Sequence, residues 1–188
     1  MQNHKKIQIE FNCNDVFDVL RKYPLPKDES ADVSPCSDEE TIKISKILNL
    51  NLPITSILYF RLGRSFNGYI HIDKNLNNPK PSLIKHALNF PLHNCDDVYM
   101  RWYRQVDLTI NENSFSGPSN GTPTPLLNYN NAICIDEANC NQVNLVNILD
   151  WHAIENRSII EYGYLISVRF EPHIKTSFDK TFTECLEK

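Results

Sequence analysis

The sequence predicts a mainly β protein, an antiparallel sandwich or barrel, with short helices near its N-terminus. From Ile54 onward, short runs rich in β-branched and aromatic residues follow one another, separated by Asn, Gly and Pro. Helical signals are confined to the first quarter of the chain. Several short strands joined by turns of this composition are typical of an all-β sandwich or barrel.

Two helices and one strand are predicted before residue 50. Lys6–Phe11 alternates polar and apolar residues and predicts an edge strand, after which Asn14 caps a short helix through Tyr23. Pro24–Pro35 is predicted to be a polar connector. Ser37-Asp38-Glu39-Glu40 is a capping box, with Ser at the N-cap and Glu three residues later. It predicts an amphipathic helix that ends near Leu48.

The remaining strands are predicted from short runs rich in β-forming residues, bounded by turn-forming ones. They are Ile54–Leu62, Tyr69–Asp73, Ser82–Leu92, Asp97–Val106, Leu145–Trp151 and Ile159–Phe170.

Asn111–Asn131 differs from the rest of the β region in composition, with three prolines, two glycines and many small polar residues. Pro lacks the N–H that a ladder needs, so this segment is not expected to form a central strand. Two interpretations remain open, a surface insertion and a mobile lid or substrate loop next to a functional site.

The length of 188 residues predicts one domain, residues 1–188, with a helical support at 1–50 and a β core at 54–170. The formal net charge of -4, without a basic stripe, makes nucleic acid an unexpected partner. The six cysteines form no C-x-x-C pair and are expected to be free thiols in a reducing cytoplasm. No apolar run is long enough for a signal peptide or a membrane span, which predicts a cytoplasmic protein without a membrane partner.

His71-Ile72-Asp73 and the distant His152 are the candidate metal ligands. Residues i and i+2 of a strand face the same side, so His71 and Asp73 are expected to point together. A third ligand from a neighbouring strand would complete two histidines and one carboxylate. That ligand set leaves metal positions open, as in non-heme Fe(II) oxygenases.

Three blocks of sequence resemble the Fe(II)/2-oxoglutarate-dependent oxygenase superfamily, in particular its small aspartyl/asparaginyl-hydroxylase-like proteins. The first, residues 67–73, is similar to the H-x-D strand of that family. The second, residues 86–103, resembles the next two strands, in which an Asn-x-Pro segment precedes a Trp-Tyr pair. The third, residues 146–156, is similar to the strand that delivers the distal histidine, followed by an asparagine that shapes the turn, here Asn156.

The resemblance implies a double-stranded β-helix, or jelly roll, of the cupin-like kind. It also implies a catalytic Fe(II) ion held by His71, Asp73 and His152, with 2-oxoglutarate as cosubstrate. Each imidazole should be neutral and oriented by an acceptor at its other ring nitrogen. Of the other histidines, His4 is expected in a frayed terminus, and His86 and His93 are seven apart and so on opposite faces of a strand.

The Arg-x-Ser signature that the family places about ten residues after the distal histidine, where it anchors 2-oxoglutarate, is missing from this sequence. Tyr162 and Tyr164 stand there instead. Ser167 and Arg169 form a polar pair on one face but lie farther along the chain, so their use requires a wide turn over residues 153–162. Lys85 resembles the lysine that some related enzymes use on the strand after H-x-D. Arg169 is the preferred anchor, and both residues could instead be solvated surface charges.

Aromatic residues on the strand after the second block have two interpretations. Tyr103 could donate to a cosubstrate carboxylate, whereas Trp102 is expected to be core. The function expected from this resemblance is hydroxylation of an unactivated C–H bond in a small molecule or a peptide side chain. The alternatives are a non-catalytic cupin-like module and a metalloenzyme, such as an epimerase, that does not use 2-oxoglutarate.

Overall fold

Two antiparallel sheets of six strands each make up most of the part of the chain that the structure describes. The computed structural model describes residues 3–50, 54–73, 86–107, 114–116 and 123–170. Sheet A has the order β1-β10-β5-β12-β3-β2, and sheet B has the order β7-β8-β4-β11-β6-β9. The strands are β1 His4–Lys6, β2 Ala31–Pro35, β3 Ile54–Leu62, β4 Ile70–His71, β5 His86–His93, β6 Val98–Gln105, β7 Ser114–Ser116, β8 Pro123–Leu127, β9 Ala132–Asn139, β10 Asn144–Asn147, β11 His152–Asn156 and β12 Gly163–Phe170.

The order in which the chain visits the two sheets is that of a jelly roll. β3, β5, β10 and β12 lie in sheet A, whereas β4, β6, β9 and β11 lie in sheet B. The chain therefore crosses between the sheets at each connection from β3 to β6 and from β9 to β12. The last described strand, β12, lies between β3 and β5. The predicted mainly β jelly-roll fold with short N-terminal helices is confirmed.

The central strands β5 and β12 of sheet A are buried on both faces, and most of their side chains are apolar. Leu88 and Phe90 of β5 pack outward with the helices, while Ala87 packs inward against sheet B. In β12, Ile166 and Val168 face the helices and Leu165 faces the interior. The alternation of strand side chains thus supplies two separate cores from one sheet.

The helices are α1 Cys13–Leu20 and α2 Asp38–Leu48, and they cover the outer face of sheet A. The capping box of α2 is confirmed: Ser37 Oγ accepts from the Glu40 N–H, and the Glu40 carboxylate accepts from the Ser37 N–H at 2.7 Å. Neither helix in the described part of the chain is long and apolar enough to span a membrane.

Several predicted boundaries were wrong. The N-terminal edge strand is His4–Lys6, since residues 7–11 lead into the helix without strand pairing. The cap of α1 is Asn12, whose side chain accepts from the Asn14 N–H, and the helix ends at Leu20. The predicted connector Pro24–Pro35 contains β2, an edge strand in which Pro35 ends the pairing with β3. An edge strand needs backbone donors on one side only, so it tolerates this composition.

Residues 111–131 were expected to contain no central strand, and this expectation was wrong. β8 pairs with β7 on one side and with β4 on the other. Its two prolines lie opposite β7, whereas only Leu126 and Leu127, beyond the last proline, pair with β4. The strand therefore keeps its prolines out of the ladder that adjoins His71. Residues 111–113 and 117–122 lie outside the described residues, and the lid interpretation remains a prediction.

Candidate metal centre

Two neighbouring strands of sheet B bring the candidate histidines together. His71 ends β4 and His152 begins β11, and the two residues are direct partners in the antiparallel pairing of these strands. Their side chains therefore point to the same face, with ring centroids 4.5 Å apart. Their neighbours in the chain, Ile70 before His71 and Ala153 after His152, pack on the opposite face of the sheet. Strand alternation thus directs both imidazoles into the interior of the sandwich.

Asp73 joins the histidines from a position just beyond β4. Its N–H donates to the Ile148 carbonyl at 3.0 Å, which ties this end of β4 to the chain leaving β10 in the other sheet. Its Oδ1 atom lies 3.2 Å from His71 Nε2 and 3.8 Å from His152 Nε2. One ligand atom from each of the three residues lies within 4.8 Å of the others. The structure therefore assembles the predicted triad in a geometry that could hold one metal ion.

The other ring nitrogen of each imidazole has a backbone partner. His71 Nδ1 lies 2.8 Å from the Tyr69 carbonyl, and His152 Nδ1 lies 2.8 Å from the Asp150 carbonyl. A carbonyl can only accept, so each Nδ1 carries a proton and donates it. In a neutral ring Nε2 then has a lone pair that faces the triad. The predicted orienting acceptors are both present.

The turn before His152 is fixed by side-chain hydrogen bonds. Asn147 Nδ2 donates to Asp150 Oδ2 at 2.7 Å, and the Leu149 N–H donates to Asn147 Oδ1 at 3.0 Å. Trp102 Nε1 donates to the Asn147 carbonyl at 2.8 Å. Together these contacts hold the segment from which Asp150 presents its carbonyl to His152. Trp102 is fully buried in the core, as predicted.

Asn156 shapes the turn that follows β11, as the resemblance implies. Its Nδ2 donates to the carbonyls of Gly63 and Glu161 at 3.0 and 2.9 Å, and its Oδ1 accepts from the Ser158 N–H at 3.1 Å. The side chain is almost fully buried. It therefore satisfies backbone groups of the crossing from sheet B to sheet A that would otherwise be buried without partners.

The charges of the triad are set by burial and by its neighbours. Burial by itself would raise the pKa of the Asp73 carboxyl, but the positive Arg169 and the hydrogen bond from His71 hold that pKa well below its usual range. Burial would lower the pKa of His71, but the hydrogen bond and charge of Asp73 raise it overall. Burial and the neighbouring His71 lower the pKa of His152 to about 4. Without metal, His71 therefore takes up a proton more readily than His152 does.

Arg169 lies beside the triad, although it belongs to the opposite sheet. Its Nη2 is 2.8 Å from Asp73 Oδ2, whereas the histidines contact the other oxygen, Oδ1. The side chain is 9% exposed, and its buried Nη1 has no hydrogen-bond partner in the described part of the chain. A buried guanidinium with an unused donor is suited to an anion.

The route by which Arg169 reaches the site differs from the predicted one. A wide turn over residues 153–162 was expected, but His152–Asn156 is a strand and only residues 157–162 connect it to β12. β12 lies in sheet A, facing β11 rather than extending it. The distance along the chain is irrelevant here, because the two sheets meet face to face in the interior.

The remaining predicted cosubstrate residues have different outcomes. Ser167 faces the interior, where its hydroxyl donates to Asn89 Oδ1 at 2.7 Å. Lys85 lies outside the described residues. Tyr103, which could donate to a cosubstrate carboxylate, packs with Ile70 and Ala153 on the outer face of sheet B, away from the triad. The inward position next to it belongs to Trp102.

His4 also departs from expectation, since it is not part of a frayed terminus. It pairs with Val146 in β1 and stacks on Trp102, with ring centroids 5.5 Å apart. Its Nδ1 lies 3.4 Å from Asp136 Oδ2. His86 is buried on β5 and His93 is exposed at the end of the same strand, so these two do not share a site.

Sequence reasoning did not select Asn89 as a site residue. It faces the interior from β5, 5% exposed, between Ser167 and Asn144 on the flanking strands. The Asn-x-Pro segment was noticed only as part of the family-like second block. The available signal was a polar residue in the middle of the apolar run Ala87–Phe90.

The donor set fits a divalent transition metal. Two imidazole nitrogens and one carboxylate oxygen suit Fe(II), Mn(II), Co(II) or Zn(II), and three protein ligands leave coordination positions open. The group of convergent ligands found among the described residues contains no cysteine.

No family model and no curated protein sequence matches this chain. Solved structures do resemble it. HygX from Streptomyces hygroscopicus with nickel and 2-oxoglutarate bound is 12% identical, with a TM-score of 0.48, covering 93% of this chain and 84% of that one. HygX with iron bound is 11% identical, with a TM-score of 0.46 and coverages of 93% and 84%. HygX with nickel, 2-oxoglutarate and hygromycin B bound is 12% identical, with a TM-score of 0.36 and coverages of 74% and 64%.

Proposed function

We propose that this protein is an Fe(II)- and 2-oxoglutarate-dependent dioxygenase that hydroxylates an unactivated C–H bond. The observation that carries the proposal is the convergence of His71, Asp73 and His152 beside a buried arginine. Two imidazole Nε2 atoms and one carboxylate supply a metal site, and Arg169 supplies a cation with an unused donor next to it. A metal site alone would not require that cation.

The protein's residues have distinct tasks in this proposal. His71 and His152 would hold Fe(II) through Nε2, with their orientation set by the carbonyls of Tyr69 and Asp150. Asp73 would bind through Oδ1, while its other oxygen stays with Arg169. The iron, when bound, would supply the redox chemistry that couples decarboxylation of 2-oxoglutarate to hydroxylation, and the protein supplies the geometry of the site.

Arg169 would anchor the far carboxylate of 2-oxoglutarate. A carboxylate buried without a cation is strongly unfavourable, and a guanidinium can satisfy it with two N–H groups. The Nη1 atom is free for such a partner among the described residues. Lys85 remains the alternative anchor.

The substrate class extends this proposal. A small molecule or a peptide side chain is the expected substrate, and the three sequence blocks favour the aspartyl/asparaginyl-hydroxylase-like group within the superfamily. Substrate selectivity depends on loops around the site, which fold likeness does not transmit. We propose a cytoplasmic enzyme of one domain, in which residues 1–50 support the β core.

Turnover of 2-oxoglutarate tests the proposal. The Fe(II)-loaded protein in air is expected to convert 2-oxoglutarate to succinate and CO₂, measured by chromatography and by release of labelled CO₂, and His152→Ala should abolish the conversion. Binding of 2-oxoglutarate to the Mn(II)-loaded protein, measured by calorimetry, should weaken at least tenfold in Arg169→Ala. Arg169→Lys, which keeps the charge but not the fork, is the matched control and should lose less.

The outcomes separate the candidate functions. If Lys85→Ala causes the loss and Arg169→Ala does not, the lysine is the anchor. If the wild type binds metal but neither binds nor decarboxylates 2-oxoglutarate, the oxygenase proposal fails. A cupin-like module or a metalloenzyme with other chemistry would then take its place.

A further inference from the structure

The interior of the sandwich contains a second row of polar side chains, which lies one inward-facing position along the strands from Arg169. In sheet A, Arg169 pairs with Ala87, and the next inward-facing pair along the same two strands is Ser167 with Asn89. On the other side, Asn89 pairs with Asn144 of β10. We call Ser167, Asn89 and Asn144 the deep row.

The deep row faces a different part of sheet B from the metal triad. Arg169 contacts Asp73, next to the row of sheet B that holds His71, His152 and Trp102. Asn89 instead contacts Met100, which lies two residues before Trp102 on β6 and pairs with Ile154. The deep row is therefore displaced from the metal centre by two residues, about 7 Å along a strand.

The hydrogen bonds within the deep row show which of its side chains can still donate to a ligand. The Ser167 hydroxyl has one proton, and it donates that proton to Asn89 Oδ1 at 2.7 Å. Ser167 therefore has no donor for an anion. The contact also fixes the amide of Asn89, because the oxygen is held by the serine and the nitrogen must point elsewhere.

Asn89 Nδ2 is an under-used donor in a buried position. Its partner is the thioether sulfur of Met100 at 3.5 Å, a weak acceptor, although the amide nitrogen carries two protons. The neighbouring Asn144 does not use it, since Asn144 Oδ1 is buried without a partner in the described part of the chain. A buried amide with spare N–H capacity costs stability unless a ligand or water accepts from it.

The spacing of the two rows suits one class of ligand. The two carboxylate carbons of a five-carbon keto diacid are roughly 5 Å apart when extended, from four C–C bonds of about 1.5 Å. A ligand that meets the metal centre with its keto-acid end would extend its other carboxylate toward the deep row. There it would meet a cation, Arg169 Nη1, and an amide donor, Asn89 Nδ2.

We propose that Asn89 is a cosubstrate-binding and specificity-determining residue, which donates from Nδ2 to the distal carboxylate of the keto diacid beside Arg169. Ser167 is then a positioning residue, which holds the amide in the required orientation. This inference rests on the proposed function, because it needs a keto diacid in the site. It assigns to an amide on β5 the donor that the resemblance would assign to a serine.

A pair of ligands tests the inference without catalytic turnover. 2-Oxoglutarate and 2-oxopentanoate have the same carbon chain, but only the first has a distal carboxylate. Binding of each to the Mn(II)-loaded protein is measured by titration calorimetry. Asn89→Leu, which keeps the branched shape of the side chain and removes its polar atoms, is expected to weaken 2-oxoglutarate at least tenfold and to change 2-oxopentanoate less than threefold.

Two further variants complete the design. Asn89→Asp keeps the shape and replaces a donor by an anion, so it should weaken 2-oxoglutarate more than Asn89→Leu does, and it keeps the test available if the leucine variant does not fold. Ser167→Ala releases the amide without removing it, and its loss for 2-oxoglutarate should be smaller than that of either Asn89 variant. Near-UV circular dichroism and Mn(II) affinity establish that each variant keeps its fold and its metal centre.

The results that overturn the inference differ from those that overturn the function. If the wild type binds neither acid, the proposed function fails. If it binds 2-oxoglutarate and the Asn89 variants weaken both acids equally, Asn89 has only a structural role. If Ser167→Ala causes the larger and carboxylate-dependent loss, the donor is the serine.

Discussion

The two faces of sheet B carry two charged clusters that differ in how fully their groups are paired. On the outer face, Arg157 contacts Glu137 at 2.5 Å and also contacts Glu155. Arg101 lies 3.2 Å from Glu137 and 3.6 Å from Glu155. Two cations and two anions thus alternate, and each has two partners of opposite sign. Each charge of this outer cluster is therefore paired within the cluster.

The inner cluster also combines basic groups with a carboxylate, but its arginine has a single charged partner among the described residues. His71, Asp73 and His152 bring three ligand atoms together, and Arg169 pairs with only one oxygen of Asp73. The Nε2 atom of His152 faces the triad without a proton, because burial lowers the pKa of this imidazole to about 4. Arg169 Nη1 is unused among the described residues. The inner cluster differs from the outer one in its three convergent ligand atoms and in its arginine, which has a single ion-pair partner among the described residues.

Removal of a histidine should give the largest difference between the two clusters. His71→Ala and His152→Ala are each expected to weaken Fe(II), Mn(II) or Co(II) binding by more than about a hundredfold, because two of the three ligands cannot hold the ion alone. Bound metal is measured by elemental analysis after gel filtration. Glu137→Gln in the outer cluster is the control and should bind one equivalent per chain, like the wild type. Wild-type metal content in both histidine variants would exclude the triad.

Loss of one arginine from each cluster should have unequal effects on stability. In the metal-free protein, Arg169→Ala removes the guanidinium that pairs with Asp73 and leaves this partly buried carboxylate with the neighbouring His71, which is expected to lower the free energy of unfolding by about 1–3 kcal/mol. Arg157→Ala removes two ion pairs of a partly exposed arginine and should cost less, about 1 kcal/mol. Urea unfolding with and without Mn(II) measures both. Added metal should restore part of the loss in Arg169→Ala only, since the ion replaces the missing cation; equal losses in both variants would contradict the comparison.

The pH dependence of metal binding should give the smallest effect. Asp73 raises the pKa of His71 above its ordinary value, so the metal must displace a proton from Nε2 of this ring. The association constant should rise about tenfold per pH unit below the pKa of His71 and level off above it. In the metal-free protein the sign is opposite: the stability contributed by the protonated His71 is present at low pH and lost as pH rises through its raised pKa.

Calorimetry in buffers of different ionisation enthalpy measures this proton directly. About one proton should be released per metal ion at slightly acid pH, and fewer at alkaline pH. Glu137→Gln should show the same release. A metal affinity that does not change over roughly pH 6 to 8 would show that His71 is neutral before the metal arrives.

Local patterns in the sequence were sufficient for much of the fold. The capping box at Ser37 and the strand Ile54–Leu62 were predicted with their observed bounds, because caps and apolar runs depend on neighbours in the chain. β2 and β8 were missed, because their prolines are unfavourable in isolation and are tolerated only where pairing on one side is absent or ends. Such tolerance depends on the place of a strand in its sheet, which local sequence does not contain.

The sequence by itself determined which residue types can form the metal centre and that His71 and Asp73 point together, since strand alternation is a local property. Tertiary structure decided the rest. It aligned His152 with His71 in one pair of strands, turned Tyr103 away from the interior, and brought Arg169 and Asn89 to the site from the opposite sheet. These residues meet across the space between two packed sheets, and contact across that space has no fixed separation along the chain.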